Sequence, residues 1–365
     1  MIKGIITQQE FDTLLGEHQA WLAGTREVGQ LVLDNVDLIG LQMRGALDKA
    51  ILIDCDMTAT VFNNCTVSGM ELRGCTLNGA QLNAVTNLLG DGPRMTGCNF
   101  RDSTWSGVRL YDVDLSDIDM TGGEARNLIV QGGQVSNVKF GGRNLGGGKF
   151  QDLRLEACDF TDSDLGGRAL IRCDFDDCAL PGLVVTELGF LKENRFVACD
   201  LTGFKAPQHV FDADTGVTVK SFQNSTLTGS DFRAADLRQV VVQGCDFTGS
   251  ELVAANFTGR YMFGCTMDGA DARGAIFEFC RAYKVSFRDC PLDNAKFRLA
   301  HLSRAVFGGA TLPRTDFQFA DLTGASFEAA GVDASTVFIG AKLGGATWLD
   351  GRRCAAGSTS QCVFA

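Results

Sequence analysis

The sequence has few of the residues that punctuate most folds. It contains 5 prolines, 3 tryptophans, 3 tyrosines and 3 histidines in 365 residues. So little proline excludes a proline-rich linker and a collagen-like chain, in spite of 44 glycines. No run of 18 apolar residues occurs, which excludes a membrane-spanning helix. Positive charge is also short: 33 Lys and Arg stand against 44 Asp and Glu, for a net charge of −11 and a pI near 4.8. That balance argues against nucleic acid and anionic membranes as direct partners. The opening MIKGIITQQEFDTLL has acidic residues where a secretory leader would be apolar, so a cytoplasmic protein is expected.

Catalytic and metal-binding patterns are missing too. There is no Cys-x-x-Cys pair, and no histidine is spaced to complete a zinc site. No Gly-x-Ser-x-Gly elbow appears. Gly146-Gly147-Gly148-Lys149 resembles part of a phosphate loop, but Arg143 stands at its first glycine and Phe150 at its Ser/Thr. The expectation is a protein without catalytic residues, cofactor or metal.

What is abundant is phenylalanine, 26 in all, together with a count of five. Phe lacks a polar tip, which suits a dry interior. In CDFTGSELVAANFTG (245–259) each five has a small residue, then a polar one, then a large apolar centre. From Phe222 to Val332 the centres fall at every fifth position without a break. A second register runs from Met95 to Phe190 and a third from Leu47 to Leu82. Shorter pieces lie at Leu38 and Met43, at Phe196 and Leu201, and at Phe338, Leu343 and Trp348. Five suits neither helix nor strand, so the internal repeat decides the fold class.

A longer period selects the geometry. Phe277, Phe287, Phe297, Phe307, Phe317 and Phe327 recur at every tenth residue, with smaller centres between them. The simplest solution is a square coil of four fives, with Phe on two opposite sides. One coil is then 20 residues, and residues 20 apart stack at strand spacing. The sequence holds enough fives for about 14–15 such coils, roughly 70 Å of stacked strands.

ADLRQ (235–239), ANFTG (255–259), ADARG (270–274) and ADLTG (320–324) carry a resemblance to the pentapeptide-repeat family, over about 290 of the 365 residues. The resemblance implies an all-β solenoid, a right-handed quadrilateral β-helix whose centres and small residues both point inward. HQAWLAGTREVGQLVL (18–33) also resembles the lead-in of bacterial members, some of them associated with type VI secretion.

Three regions frame the repeat: residues 1–30, the solenoid at 31–348 and a tail at 349–365. In the first, Thr7-Gln8-Gln9-Glu10 is a capping box. Phe11, Leu14, Leu15, His18 and Leu22 follow at helical spacing and Gly24 is a stop, so a short amphipathic helix is expected to cover the open end of the first coil. Interruptions fall at 86–94, with Asp91-Gly92-Pro93 as turn residues, and at 202–220. The second is a candidate contact loop through Phe204, Pro207, His209 and Phe211, against the plainer reading of a loop tucked on a coil edge. The tail either caps the last coil or pairs with a second copy as a homodimer contact.

Fourteen cysteines suggest metal or disulfide chemistry, but twelve of them occupy the small inward position, where a free thiol replaces alanine. Cys354 and Cys362 lie outside the repeat; they could form a disulfide in an oxidising compartment, and reduced thiols are the expectation in cytoplasm. Asp231, Asp236, Asp246, Asp316 and Asp321 sit at the polar second position, which periodicity explains. Arg143, Arg168 and Arg260 occupy the small inward position. A buried unpaired guanidinium is costly, so their side chains are expected to leave for solvent, with partner contact as a second reading.

These observations point to a non-enzymatic scaffold or adaptor for a protein partner, in its narrower form an accessory factor of a bacterial secretion system. The alternative is a DNA mimic of the kind that binds DNA gyrase, which the family resemblance brings with it. B-DNA carries a charge every ~1.7 Å, so a 70 Å stack would need about 40 negative charges, far above −11.

Overall fold

The computed structural model describes residues 4–183, 190–206 and 219–365. The chain divides into two compact units, the first made of residues 1–179 and 187–190 and the second of 180–186 and 191–365. Each is a stack of β coils. The fold is the all-β solenoid with parallel pairing and one short N-terminal helix.

Helix α1 spans Gln8–Leu22. Thr7 accepts from the Glu10 N–H while the Glu10 carboxylate accepts from the Thr7 N–H, which completes the capping box. Phe11, Leu15 and His18 form the buried face, whereas Leu14 and Leu22 are half-buried. Gly24 takes φ +71° just beyond the helix, the left-handed geometry that ends helices. His18 fixes the lead-in: its Nδ1 accepts from the Leu31 N–H at 2.9 Å and its ring stacks on Trp21.

In the first unit one ladder passes in parallel register through Asp37, Asp56, Thr76, Asn99, Asp119, Lys139, Asp159 and Ala179. Most steps are 19 or 20 residues. The step from Thr76 to Asn99 is longer because residues 86–94 insert there. Asn87 pins that insertion by donating to the carbonyls of Leu88, Asp91 and Tyr111 and accepting from the Tyr111 N–H. The longest strands here are β1 (Arg109–Asp119), β2 (Ile129–Lys139) and β3 (Lys149–Glu156). They pair side by side, with Leu110 against Val130 and Val130 against Phe150.

In the second unit the ladder runs through Asp200, Thr226, Asp246, Thr266, Ser286, Val306, Ser326 and Thr347. Each five contributes one bridge and one turn. The Phe247 N–H donates to the Thr266 carbonyl of the next coil at 2.7 Å, and the Ser250 N–H closes the turn onto the Phe247 carbonyl at 3.0 Å. The third residue of that turn, Gly249, has φ +64°. Phe side chains fill the bore from two opposite sides. Phe277 stacks on Phe297 at 4.8 Å and meets Phe287 edge-on at 5.4 Å, both favoured aromatic geometries. These rings are completely buried.

Among the described residues three centres, Val332, Leu165 and Trp348, are not fully buried. Val332 is only half-buried, because Asp333 accepts from the Ser335 N–H in a turn that adds a residue. Phe338 therefore takes the stack position above Phe317. Leu165 is also half-buried, next to Arg168.

The tail takes the capping place. It returns antiparallel, pairing Lys342 with Thr359, Thr347 with Arg353 and Cys354 with Phe364. Gly344 lets it approach: a Cβ there would stand 2.4 Å from the Ala356 carbonyl oxygen. The expectation of free thiols fails, since Cys354 and Cys362 are joined in a disulfide. The return of the chain brings them together, which spacing alone does not show.

Candidate functional site

The twelve cysteines of the small position are all buried. They do more than fill space. Cys245 Sγ donates to the Phe222 carbonyl at 2.7 Å and Cys290 Sγ to that of Met267 at 2.7 Å. Ser250 Oγ makes the equivalent bond to Leu227 at 2.7 Å, and Thr315 Oγ1 to Leu292 at 2.9 Å. The small position is thus a donor position, aimed at a carbonyl 23 residues earlier.

That geometry explains the two arginines whose exit to solvent was expected. Arg143 and Arg168 are completely buried. Arg143 donates to the Met120 carbonyl, again 23 residues earlier, at 3.0 Å. It also donates to the carbonyls of Gly122 (3.1 Å), Ser103 (3.0 Å) and Glu124 (3.3 Å). Arg168 Nε donates to Leu145 at 2.7 Å, its Nη1 to Leu128 at 3.1 Å and its Nη2 to Ala125 at 3.3 Å. Its guanidinium lies 4.3 Å from the centroid of Phe150. Burial pulls the proton affinity of both down, Arg143 to about 10 and Arg168 to about 9. Their acceptors are backbone carbonyls and, for Arg143, also the Ser103 hydroxyl, rather than carboxylates; Arg143 Nε is left without a partner. Fully buried, neither offers a surface to a partner. Arg260 is half-buried, with its Nε enclosed and unpartnered.

Phe204, expected in a contact loop, is instead a fully buried centre in contact with Phe222 and Phe232. Coil structure continues to Ala206, so the regular register outlasts the expected loop start at 202. Pro207, His209 and Phe211 lie outside the described residues. Among the described residues no cluster of His, Cys, Asp or Glu is placed to hold a metal. No helix among them is long and apolar enough to cross a membrane.

The outward positions of the second unit show a grouping that the inward pattern hides. Between 222 and 350 the exposed large apolar residues are Val241, Tyr261, Phe263, Phe279, Tyr283, Leu299, Phe319 and Ile339. All lie on one side of the coil stack or at its leading corner. The side is the one whose centres are Val242, Met262, Ala282, Leu302 and Leu322. Phe263 and Tyr283 are one coil apart and stack with a 4° interplanar angle. At the corner, Phe279, Leu299 and Phe319 hold successive positions with φ of 57°, 56° and 59°. Bulky residues are rare in that region of backbone space.

Cations are interleaved with these rings. Arg281 lies over Tyr261 at 4.8 Å, while Lys284 Nζ and the Arg304 guanidinium lie 5.2 and 5.9 Å from Tyr283. Arg281, Tyr283, His301 and Ser303 line a groove of about 320 Å³. Sequence reasoning missed this side because it followed the centres. The available signal was Phe279, Leu299 and Phe319, each 20 residues apart at a turn position that is elsewhere often Gly, Asn or Asp.

The comparisons agree with the repeat. Residues 46–79, 221–252 and 290–328 match the family model for pentapeptide repeats, in eight copies. Among solved structures, HetL, a pentapeptide repeat protein involved in heterocyst differentiation regulation in the cyanobacterium Nostoc sp. strain PCC 7120, is similar at 16% identity. That match covers 93% of this chain and 98% of HetL, with a TM-score of 0.16. Full-length QnrB1, a plasmid-mediated fluoroquinolone resistance protein, is 17% identical over 66% of this chain and 94% of its own, with a TM-score of 0.20. At those TM-scores neither likeness carries a functional argument. No curated protein matches the chain.

Proposed function

We propose that this protein is a non-enzymatic interaction scaffold whose contact side is the aromatic and cationic face of the second unit. One observation carries the reading: the exposed large apolar side chains between 222 and 350 are confined to that side and its leading corner. Scattered apolar residues need no explanation, but a contiguous group marks a binding surface. Tyr261, Tyr283, Arg281 and Arg304 on this face are also of the residue types that concentrate binding energy at interfaces. Service to a bacterial secretion system, suggested by the resemblance of residues 18–33, is the narrower form of this proposal.

Mimicry of DNA toward a topoisomerase has weaker support. It requires free carboxylates along a face. In the second unit Asp231, Asp236 and Asp271 each carry an arginine two residues on, at 2.7, 2.6 and 2.6 Å.

The test is photo-crosslinking in the host cell. A photoreactive residue at Phe263 or Phe319 is expected to trap a discrete protein adduct, and one at Arg273, on another side, is not. Equal labelling at all three positions, or none at the first two, rejects the reading.

A further inference from the structure

The scaffold reading leaves the chemistry of the partner open, and the charge of the contact face narrows it. On other sides of the second unit Arg233, Arg238 and Arg273 are neutralised within their own coils by Asp231, Asp236 and Asp271, whereas Arg288 and Arg314 stand apart from one another without an ion pair to a described residue. Arg281, Lys284 and Arg304 are exposed and form no ion pair with a described residue. Their neighbours are the rings of Tyr261 and Tyr283. From Tyr261 to Arg304 this side carries no carboxylate; the first is Asp321, a coil further on. A chain with a net charge of −11 therefore places three fixed positive charges together among exposed rings.

The geometry is suited to a carboxylate. The Arg281 and Arg304 guanidinium groups lie over rings and form no ion pair with a described residue, and a guanidinium N–H edge matches a carboxylate through two parallel hydrogen bonds. The groove between Arg281, Tyr283, His301 and Ser303 is where such a group would enter. Beside it, Phe279, Leu299 and Phe319 form an apolar strip at the corner, three coils deep. Resting on the scaffold reading, we infer that this face takes an acidic segment of a partner protein, with carboxylates on Arg281, Lys284 and Arg304 and apolar side chains against the corner strip. A nucleic acid fits less well. Three cations neutralise few phosphates, the excess negative charge repels a polyanion, and an aliphatic corner residue such as Leu299 offers no platform for a base.

The experiment is selection from a randomised peptide library displayed on phage, against the full chain and against an Arg281→Glu/Arg304→Glu variant. These side chains point to solvent, so the variant is expected to keep the parent's thermal melt. Selected peptides should be enriched in Asp and Glu interleaved with Phe, Trp or Leu. They should lose about tenfold or more in affinity to the variant, and far less to Arg281→Lys/Arg304→Lys. Basic or neutral consensus peptides would overturn the inference, as would selection no better than against the variant. Two further results also overturn it: a single-stranded oligothymidine bound more tightly than any selected peptide, or a dimer in sedimentation that the Glu substitutions break. If crosslinks form at Phe263 and Phe319 while the peptides lack acid, only this inference falls. If the crosslinks fail as well, the scaffold reading falls with it.

Discussion

Arg168 Nε donates to the Leu145 carbonyl across 2.7 Å, the place in the coil from which a cysteine thiol or serine hydroxyl donates elsewhere. The guanidinium is thus an extended version of a small donor. It reaches on to Leu128 and Ala125 with its remaining N–H groups.

Arg168→Ala should then destabilise the chain by about 3–5 kcal/mol, since it leaves both a cavity and unmet carbonyls. Arg168→Met keeps most of the volume and should cost less, about 1–3 kcal/mol for the acceptors alone. Urea unfolding of the two variants separates packing from hydrogen bonding. Equal losses would show that the carbonyl contacts, not the filled volume, set the whole effect.

The twelve inward thiols should resist modification at neutral pH. All are enclosed, and burial pushes Cys173, Cys280 and Cys290 up to about 12, so almost no thiolate forms there. Hydrogen bonds with Cys75 and Cys178 hold Cys98 and Cys158 below the ordinary thiol value, so enclosure alone protects those two. Ellman's reagent is expected to find no thiol in the native oxidised protein and two after mild reduction of Cys354–Cys362. All fourteen should react once the protein is reduced and unfolded.

Docking of α1 should weaken in mild acid. Burial holds His18 below its ordinary value, against an opposing effect of Asp48. The unfolded chain therefore takes up the proton first. The stabilisation from neutral His18 is complete above about pH 6.5 and is lost as the pH falls through and below that value. Protonation also removes the Nδ1 lone pair that accepts from Leu31. Hydrogen exchange of the α1 amides should accelerate between neutrality and pH 5, and a His18→Leu variant should lose that dependence.

Two residues apart, removing a phenylalanine ring should act in opposite ways. Phe277 is buried between Phe257 and Phe297, and Phe277→Ala should cost about 3–5 kcal/mol. Phe279 is exposed at φ 57°, where a side chain carries about 1–2 kcal/mol of backbone strain. Phe279→Gly relieves that strain against a glycine entropy cost of about 0.5–1 kcal/mol. Its melting temperature should therefore match or exceed the parent's. A marked drop would mean that the exposed ring contributes to the fold itself.

The interior was readable because burial constrains one large residue in every five, and Phe277 to Phe327 repeat that constraint without a slip. Helix α1 was readable from Thr7 and Glu10. Arg143 and Arg168 were not, because the acceptors of their N–H groups are backbone carbonyls, which leave no mark on residue identity. The disulfide depends on the tail reversing direction after Trp348, which a separation of eight positions does not reveal. Phe204 was misplaced because Pro207 and the polar residues after it made the whole segment look like a loop. The contact face emerges only when outward residues are aligned at 20, a step that requires knowing that four fives make a turn.

That step gives the chain an addressing system. A deletion of 20 residues shortens the stack and leaves every later residue on its own side. A deletion of five turns everything downstream by a quarter, so the corner of Phe319 would no longer continue that of Phe279. The added residue at Asp333 shows that the stack absorbs a single-residue slip in a turn. Length changes in this protein are therefore rotations as much as truncations, and its binding surface can be cut or re-aimed without altering a single inward residue.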